Sequence, residues 1–201
     1  MSLRLHESDT VRVSLEDVFT NPDDEDGLDG DAGDSAEKKL RVMIEQTTLG
    51  DDINDSVTTI PLAAVSFANT NRKYIMVGSE KMEVTAGWGT DSLTVTRGVK
   101  GTTAAAHSSG DAVRLAYDAV GASISVEDNS GSDESSWVDF CLDSGGSPDG
   151  NWQSPLSLGN IAYDSYVDIW RRVTVPAATI AQAKQDLILV IDCTIKEYAT
   201  P

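Results

Sequence analysis

The sequence predicts an all-β protein made of two β modules in tandem. Three observations carry that prediction. Apolar residues recur at every second position in short runs such as "LRVMIEQ", "SLTVTRG" and "ASISVED", the period of a half-buried strand. Clusters of Gly, Asp, Ser and Pro punctuate those runs at short intervals. No stretch sustains a helical period, and "AATIAQAKQ" is the only candidate for a helical turn. Many short strands with turn punctuation suit a sandwich or a barrel.

Residues 1–50 read as strand, loop and strand. "LRLHESDTVRVSLEDVF" alternates Leu3/Leu5 and then Val11/Val13/Leu15, and "LRVMIEQ" alternates Leu40, Val42 and Ile44. Between them lies an acidic, glycine-dotted segment, 21–37, read as a solvated loop. A calcium loop of the Asp-x-Asp-x-Asp-Gly type needs oxygen ligands at alternate positions. Counting from Asp24 the third ligand is Leu28, and counting from Asp29 it is Gly33.

Residues 51–119 read as a small β domain. "VTTIPL" leads into "NRKYIMVGSEKMEVT", where Gly78-Ser79 separates two strands and a glycine at the first central position suits a II′ hairpin turn. "AGWGTD" makes the next turn, "SLTVTRG" the next strand, and "DAVRLAY" closes the unit. Residues 120–201 form the second module, with the boundary near Ala119–Gly121. Strands are expected at "ASISVED", "WVDFCL" and "YVDIWRRVTV", and "DSGGSPDGNWQS" is a loop. The near-continuous apolar run "DLILVIDCTIKEY" is expected to be a strand buried on both faces.

The 201 residues are enough for a real buried core. With 33 acidic against 15 basic residues and a formal charge of -18, direct contact with nucleic acid is disfavoured, because phosphates are met by Lys and Arg. No apolar run reaches the length of a membrane span, and Met1 to Asp9 lacks the apolar core of a signal peptide. Cys141 points away from the apolar face of Val138, Phe140 and Leu142, while Cys193 shares a face with Leu187, Leu189 and Ile191. Two free thiols are therefore expected, and the pair has no ligand-spaced partners for zinc.

Nothing in the spacing of residues points to bond-making chemistry. The two histidines limit any nucleophilic site. No Gly-x-Ser-x-Gly elbow is present, and Ser108 and His107, adjacent in an extended chain, point apart. Carboxylates are so numerous that no pair of them is informative. "GTDSLTVTRGVKGTT" contains no phosphate-cradling glycine pattern. Arg97 and Lys100 form a basic spot fit for a salt bridge. The expectation is no catalytic residue, no cofactor, no metal and no enzyme. Trp170, in an apolar strand, is expected in the core, whereas Trp88 and Trp152 sit in glycine-rich turns where exposure at an interface is an alternative.

One longer pattern stands out. "VTTIPLAAVSFANTNRKYIMVGSEKMEVTAGWGTDSLTVTRGVKGTTAAAHSSGDAVRLAY" resembles a segment frequent in virion structural proteins of tailed phages and related viruses. The matching positions are Gly78, Ser79, Glu80, Met82, Arg97, Gly98, Gly101, Thr102, Thr103, His107, Gly110 and Val113. The block from Ser136 to Ile195 is similar, more loosely, to a C-terminal immunoglobulin-like module of such proteins. It has a "Leu-Gly-x-Ile" turn, a Trp-x-Arg strand, a "Val-Pro-Ala" bend and a final aliphatic strand. The resemblance implies an immunoglobulin-like sandwich at 120–201 and makes His107 part of a structural turn. It also implies a non-enzymatic component of a tail, neck, baseplate or capsid decoration. Such a protein would be assembled in the host cytoplasm and partnered by copies of itself and other virion proteins. The alternative is a host-surface module that binds a receptor or glycan through Trp152 or Trp137.

Overall fold

Strand pairing ties the two ends of the chain together and sets the middle apart. The computed structural model describes residues 3–7, 12–14, 28–64, 67, 72–128, 134–180 and 187–200. Among them the first strands are β1 (Leu3–Glu7), β2 (Arg12–Ser14), β3 (Asp34–Ile44), β4 (Gln46–Thr48) and β5 (Thr59–Pro61). Next come β6 (Tyr74–Val77), β7 (Glu80–Ala86), β8 (Ser92–Thr96), β9 (Ala112–Leu115) and β10 (Tyr117–Asp128). The chain ends with β11 (Val138–Leu142), β12 (Leu156–Ile161), β13 (Tyr166–Val175) and β14 (Leu187–Glu197). The protein is all-β, as its alternation predicts.

The segment 46–115 forms one six-stranded sheet in the order β4-β9-β6-β7-β8-β5. Its two outer strands meet: Leu49 bridges Leu62, the Ala63 N–H donates to Thr48 O and the Gly50 N–H to Pro61 O, both at 2.9 Å. The sheet therefore closes into a small barrel and leaves no free edge. Ile60, Ile75, Val77, Met82, Leu93, Val95, Val113 and Leu115 fill its interior. The hairpin at Gly78-Ser79 forms as the sequence predicts, with Gly78 at φ +56.

The remaining strands form two sheets, β11-β13-β3-β1-β2 and β12-β10-β14. Leu40, Val42, Phe140 and Ile169 of the first share a buried cluster with Ile124, Leu156, Leu158 and Ile191 of the second. The partition into 1–50, 51–119 and 120–201 is redrawn by this pairing. β3 lies between β1 and β13 and pairs with β13 along ten residues, from Tyr166↔Met43 to Val175↔Asp34. The N-terminal segment is thus a central part of the C-terminal module, and the barrel is inserted between β3 and β10. Alternation specifies that 40–44 is a strand with one apolar face, but carries no information about which strand it joins.

Two further expectations change. The "Leu-Gly-x-Ile" segment is no turn. It is β12, where Gly159 (φ +71) pairs with Ala122 beside a bulge that holds Gly121 (φ +63). β14 is not buried on both faces: it pairs only with β10 among the described residues, and Ile191 alone of its residues is buried. β10, paired on both sides, is the central strand. The candidate helical turn lies largely outside the described residues, as does the stretch 21–27 of the acidic loop.

Candidate functional site

The polar residues of the segment 57–117 converge on one carboxylate. The two-residue turn places Glu80 at the start of β7, directly opposite Val77. Arg97 follows the last residue of β8, and the loop 98–106 returns the chain to His107. The His107 backbone is fixed by reciprocal 2.9 Å bonds with Ile53. Glu80 is completely buried. Arg97 donates from Nε to Oε1 and from Nη2 to Oε2, both at 2.7 Å. The Gly98 N–H adds a bond to Oε1 at 3.0 Å, and the Ala105 N–H one to Oε2 at 3.1 Å. His107 Nε2 lies 2.9 Å from Oε2, so this nitrogen carries the proton and donates.

Five donors therefore fill the acceptor positions of Glu80, two on Oε1 and three on Oε2. Burial pushes its pKa up, but Arg97, His107 and the Ala105 N–H outweigh burial and hold the carboxyl below its ordinary value. Arg97 is filled in turn: Nη1 donates to Asn54 O and Val57 O, and Nη2 to Ala105 O. One ion pair thus ties together the β6–β7 hairpin, the loop before β5 and the loop after β8.

A carboxylate beside an imidazole is the orienting half of a catalytic triad. Here the carboxylate holds Nε2, and the other side of the ring packs against Gly78, about a van der Waals contact from where a Cβ would stand. Ser108 opens a tight turn, its N–H donating to Asp111 Oδ2 at 2.9 Å and its carbonyl accepting from the Asp111 N–H at 3.0 Å. The arrangement crosslinks the barrel wall.

Other motif residues take structural positions. Met82 and Val113 are core residues. Thr102 accepts from the Lys81 N–H at 3.0 Å and donates to Val99 O at 2.8 Å. Gly98 sits at φ +60 where a Cβ would approach Ala104 N to 2.9 Å. Sequence reasoning missed Lys81, which is almost completely buried. Its Nζ donates to Glu197 Oε1 at 2.8 Å and to Tyr198 O, which staples the barrel to the end of β14. A lysine in an alternating strand gives no sign of being buried, because its partner lies 116 residues away.

The tryptophans divide differently from expectation. Trp170 is not in the core. It lies on the outer face of β13, half-buried, and its Nε1–H donates to Asp143 Oδ1 at 2.8 Å. Its strand has two faces, and the core face is carried by Ile169 and Arg171. On the same outer face Arg41 binds Asp168 at 2.6 and 3.0 Å and stacks on Tyr166, and Arg172 stacks on Trp152. Trp88 packs edge-on against Phe67.

Both cysteines are free. Cys141 does lie on the face opposite Phe140, yet it is fully buried, since the loop after β11 folds over that face and Gln153 pairs with Phe140. In the acidic segment Asp29 Oδ1 accepts the Asp31 and Ala32 N–H groups, and among the described residues no three metal-ligating side chains converge. No helix among the described residues is long and apolar enough to cross a membrane. No family model, characterised protein or solved structure matches the chain.

Proposed function

We propose that the chain is a non-enzymatic structural component of a tailed-virus particle. It joins copies of itself and neighbouring virion proteins through surfaces of its β-sheets. The observation that supports this reading most is the saturation of Glu80. The residues through which the sequence resembles virion segments are consumed in holding a barrel wall, so what such a segment offers a neighbour is shape rather than chemistry. The immunoglobulin-like description of the C-terminal module belongs to the same reading, and two sheets sharing one buried cluster are consistent with it. Sheet edges remain for association at β14 and β12. The test is mass spectrometry of purified particles: the protein should be present in stoichiometric amounts, and its absence from them ends the reading.

A second reading, a receptor- or glycan-binding module, is favoured by one feature. Trp152 and Tyr166 lie on the same sheet face, each stacked on an arginine. Binding of the intact protein to host cells, lost in Trp152→Ala with the fold intact, would support it. Equal binding by that variant would remove it.

A further inference from the structure

We propose that copies of this chain associate head to tail, the ribbon tip of one seated on a basic, tyrosine-lined patch of the next. The inference rests on the reading above that the protein assembles with itself, and it names the two surfaces that meet.

The first surface is the end of the β3–β13 ribbon. The β3–β13 ladder continues past the first residue of β11, Val138, which pairs with Val173, and past the last of β1, Glu7, which pairs with Leu40. It runs on through Ala178 N–H to Asp31 O at 3.3 Å and Thr179 N–H to Gly30 O at 2.9 Å. Gly30 lies so close to Thr179 that a Cβ would stand 2.5 Å from its carbonyl oxygen. Ala178 is held at φ +66, a conformation that a non-glycine residue adopts only when its surroundings impose it. The described end of this ribbon carries Ile180 at 85% exposure and the exposed residues Asp31 and Asp34. Single exposed apolar residues are common, so Ile180 counts as an anchor only together with the charges that accompany it.

The second surface is opposite in charge, in a protein whose formal charge is -18. Around the rings of Tyr74 and Tyr117 gather Arg72, Lys73, Lys81 and Lys100. Lys73 and Lys100 are well exposed, at 70% and 49%, and reach their nearest carboxylates, Glu83 and Glu197, only at 4.0 and 3.9 Å. Glu197 is already engaged by Lys81. The patch thus keeps positive charge at its rim over an aromatic floor, the complement of an acidic tip that carries one aliphatic side chain.

Both surfaces lie on one chain but cannot meet within it. The tip is at the start of β3, whose eleven residues span about 35 Å. The patch is at the other end, where Glu45 O accepts from Leu115 N–H and Tyr74 O from Ala116 N–H. Two different surfaces at opposite ends make a heterologous contact, which propagates into a ring or an open string of subunits.

Sedimentation velocity of the full-length protein tests the contact. Oligomers should be present at about 50 mM salt and dissociate toward about 500 mM, where charges are screened within a few ångströms. Lys73→Glu/Lys100→Glu and Asp31→Lys/Asp34→Lys should each weaken association at least about tenfold with an unchanged melting temperature. Mixing these two variants should restore it, because each supplies the sign the other has lost. Ile180→Asp, at a site too exposed to disturb folding, should weaken association as well. A wild-type monomer at about 100 μM in low salt overturns the proposal, since such a contact would then be weaker than about that concentration. So does wild-type assembly in the charge variants, or a mixture that stays monomeric. A monomer that is nevertheless found in purified particles would sink this contact alone and leave the virion reading standing.

Discussion

Arg97 grips Glu80 with two parallel bonds of 2.7 Å, and the carboxylate it grips has no exposed surface. Replacing one partner of such a pair leaves the other charge buried without compensation. Arg97→Ala should therefore cost about 3–5 kcal/mol. Arg97→Lys retains the charge but not the fork that reaches both oxygens and three carbonyls, and should fall between. Urea unfolding measures both. A loss below about 1 kcal/mol for Arg97→Ala, typical of a surface pair, would show that the pair does not hold the barrel.

Acid should weaken the protein through the same group. The folded pKa of Glu80 lies below its unfolded value. Its contribution is therefore complete above the unfolded value of about 4.3 and is lost as pH falls through the folded one. Asp168, held down chiefly by its bond to Arg41, acts in the same direction. Glu80→Gln should be less stable than wild type at neutral pH and lose less on acidification. Parallel stability–pH curves below about pH 4 would contradict this.

The barrel and the C-terminal module should come apart energetically at Lys81. Removing its partner by Glu197→Ala leaves a buried ammonium with Tyr198 O and the Tyr74 ring. A loss of about 1–3 kcal/mol is expected. Lys81→Met, which removes the charge and keeps most of the volume, should cost less than Glu197→Ala. Thermal unfolding of the two variants ranks them, and the reverse order would mean that the stem of Lys81 matters more than its charge.

Two nearby glycines should respond unequally to alanine. Both have positive φ, +91 at Gly87 and +77 at Gly89, so each substitution meets the left-handed penalty of about 1–2 kcal/mol. At Gly89 the new Cβ enters open space, while at Gly87 it would stand 2.1 Å from Ser92 O. Gly87→Ala should be the more destabilising by at least about 1 kcal/mol. Equal melting temperatures for the pair would disprove that the β7–β8 turn is as tight as described.

Neither thiol should be readily reactive. Burial pushes both Cys141 and Cys193 up from the ordinary thiol value, so little thiolate is present near neutrality. Titration with a thiol-specific chromophore should label Cys193 slowly and Cys141 only after unfolding, with no disulfide at any stage. Immediate labelling of two thiols in the native protein would overturn this.

The strands of the barrel were legible because each carries its own period and its own turn. Gly78-Ser79 specifies a hairpin whatever surrounds it, and the alternation through Leu93 and Val95 needs no partner to be seen. β12 was not legible, because Gly159 breaks the apolar pattern and the bulge that accommodates it lies on another strand. β14 misled for the opposite reason: an apolar run reports the composition of a strand, not its position in the sheet.

Local order was thus set by the residues alone: an all-β chain, a tight hairpin at Gly78 and two thiols kept apart. Tertiary structure decided the pairing of β3 with β13, the insertion of the barrel between β3 and β10, and the convergence of Arg97 and His107 on Glu80. The division follows from range. Backbone period and turn chemistry act over a few residues and leave a trace in the sequence. Sheet partnership and buried charge pairing depend on groups brought together from distant parts of the chain, whose identity no local pattern encodes.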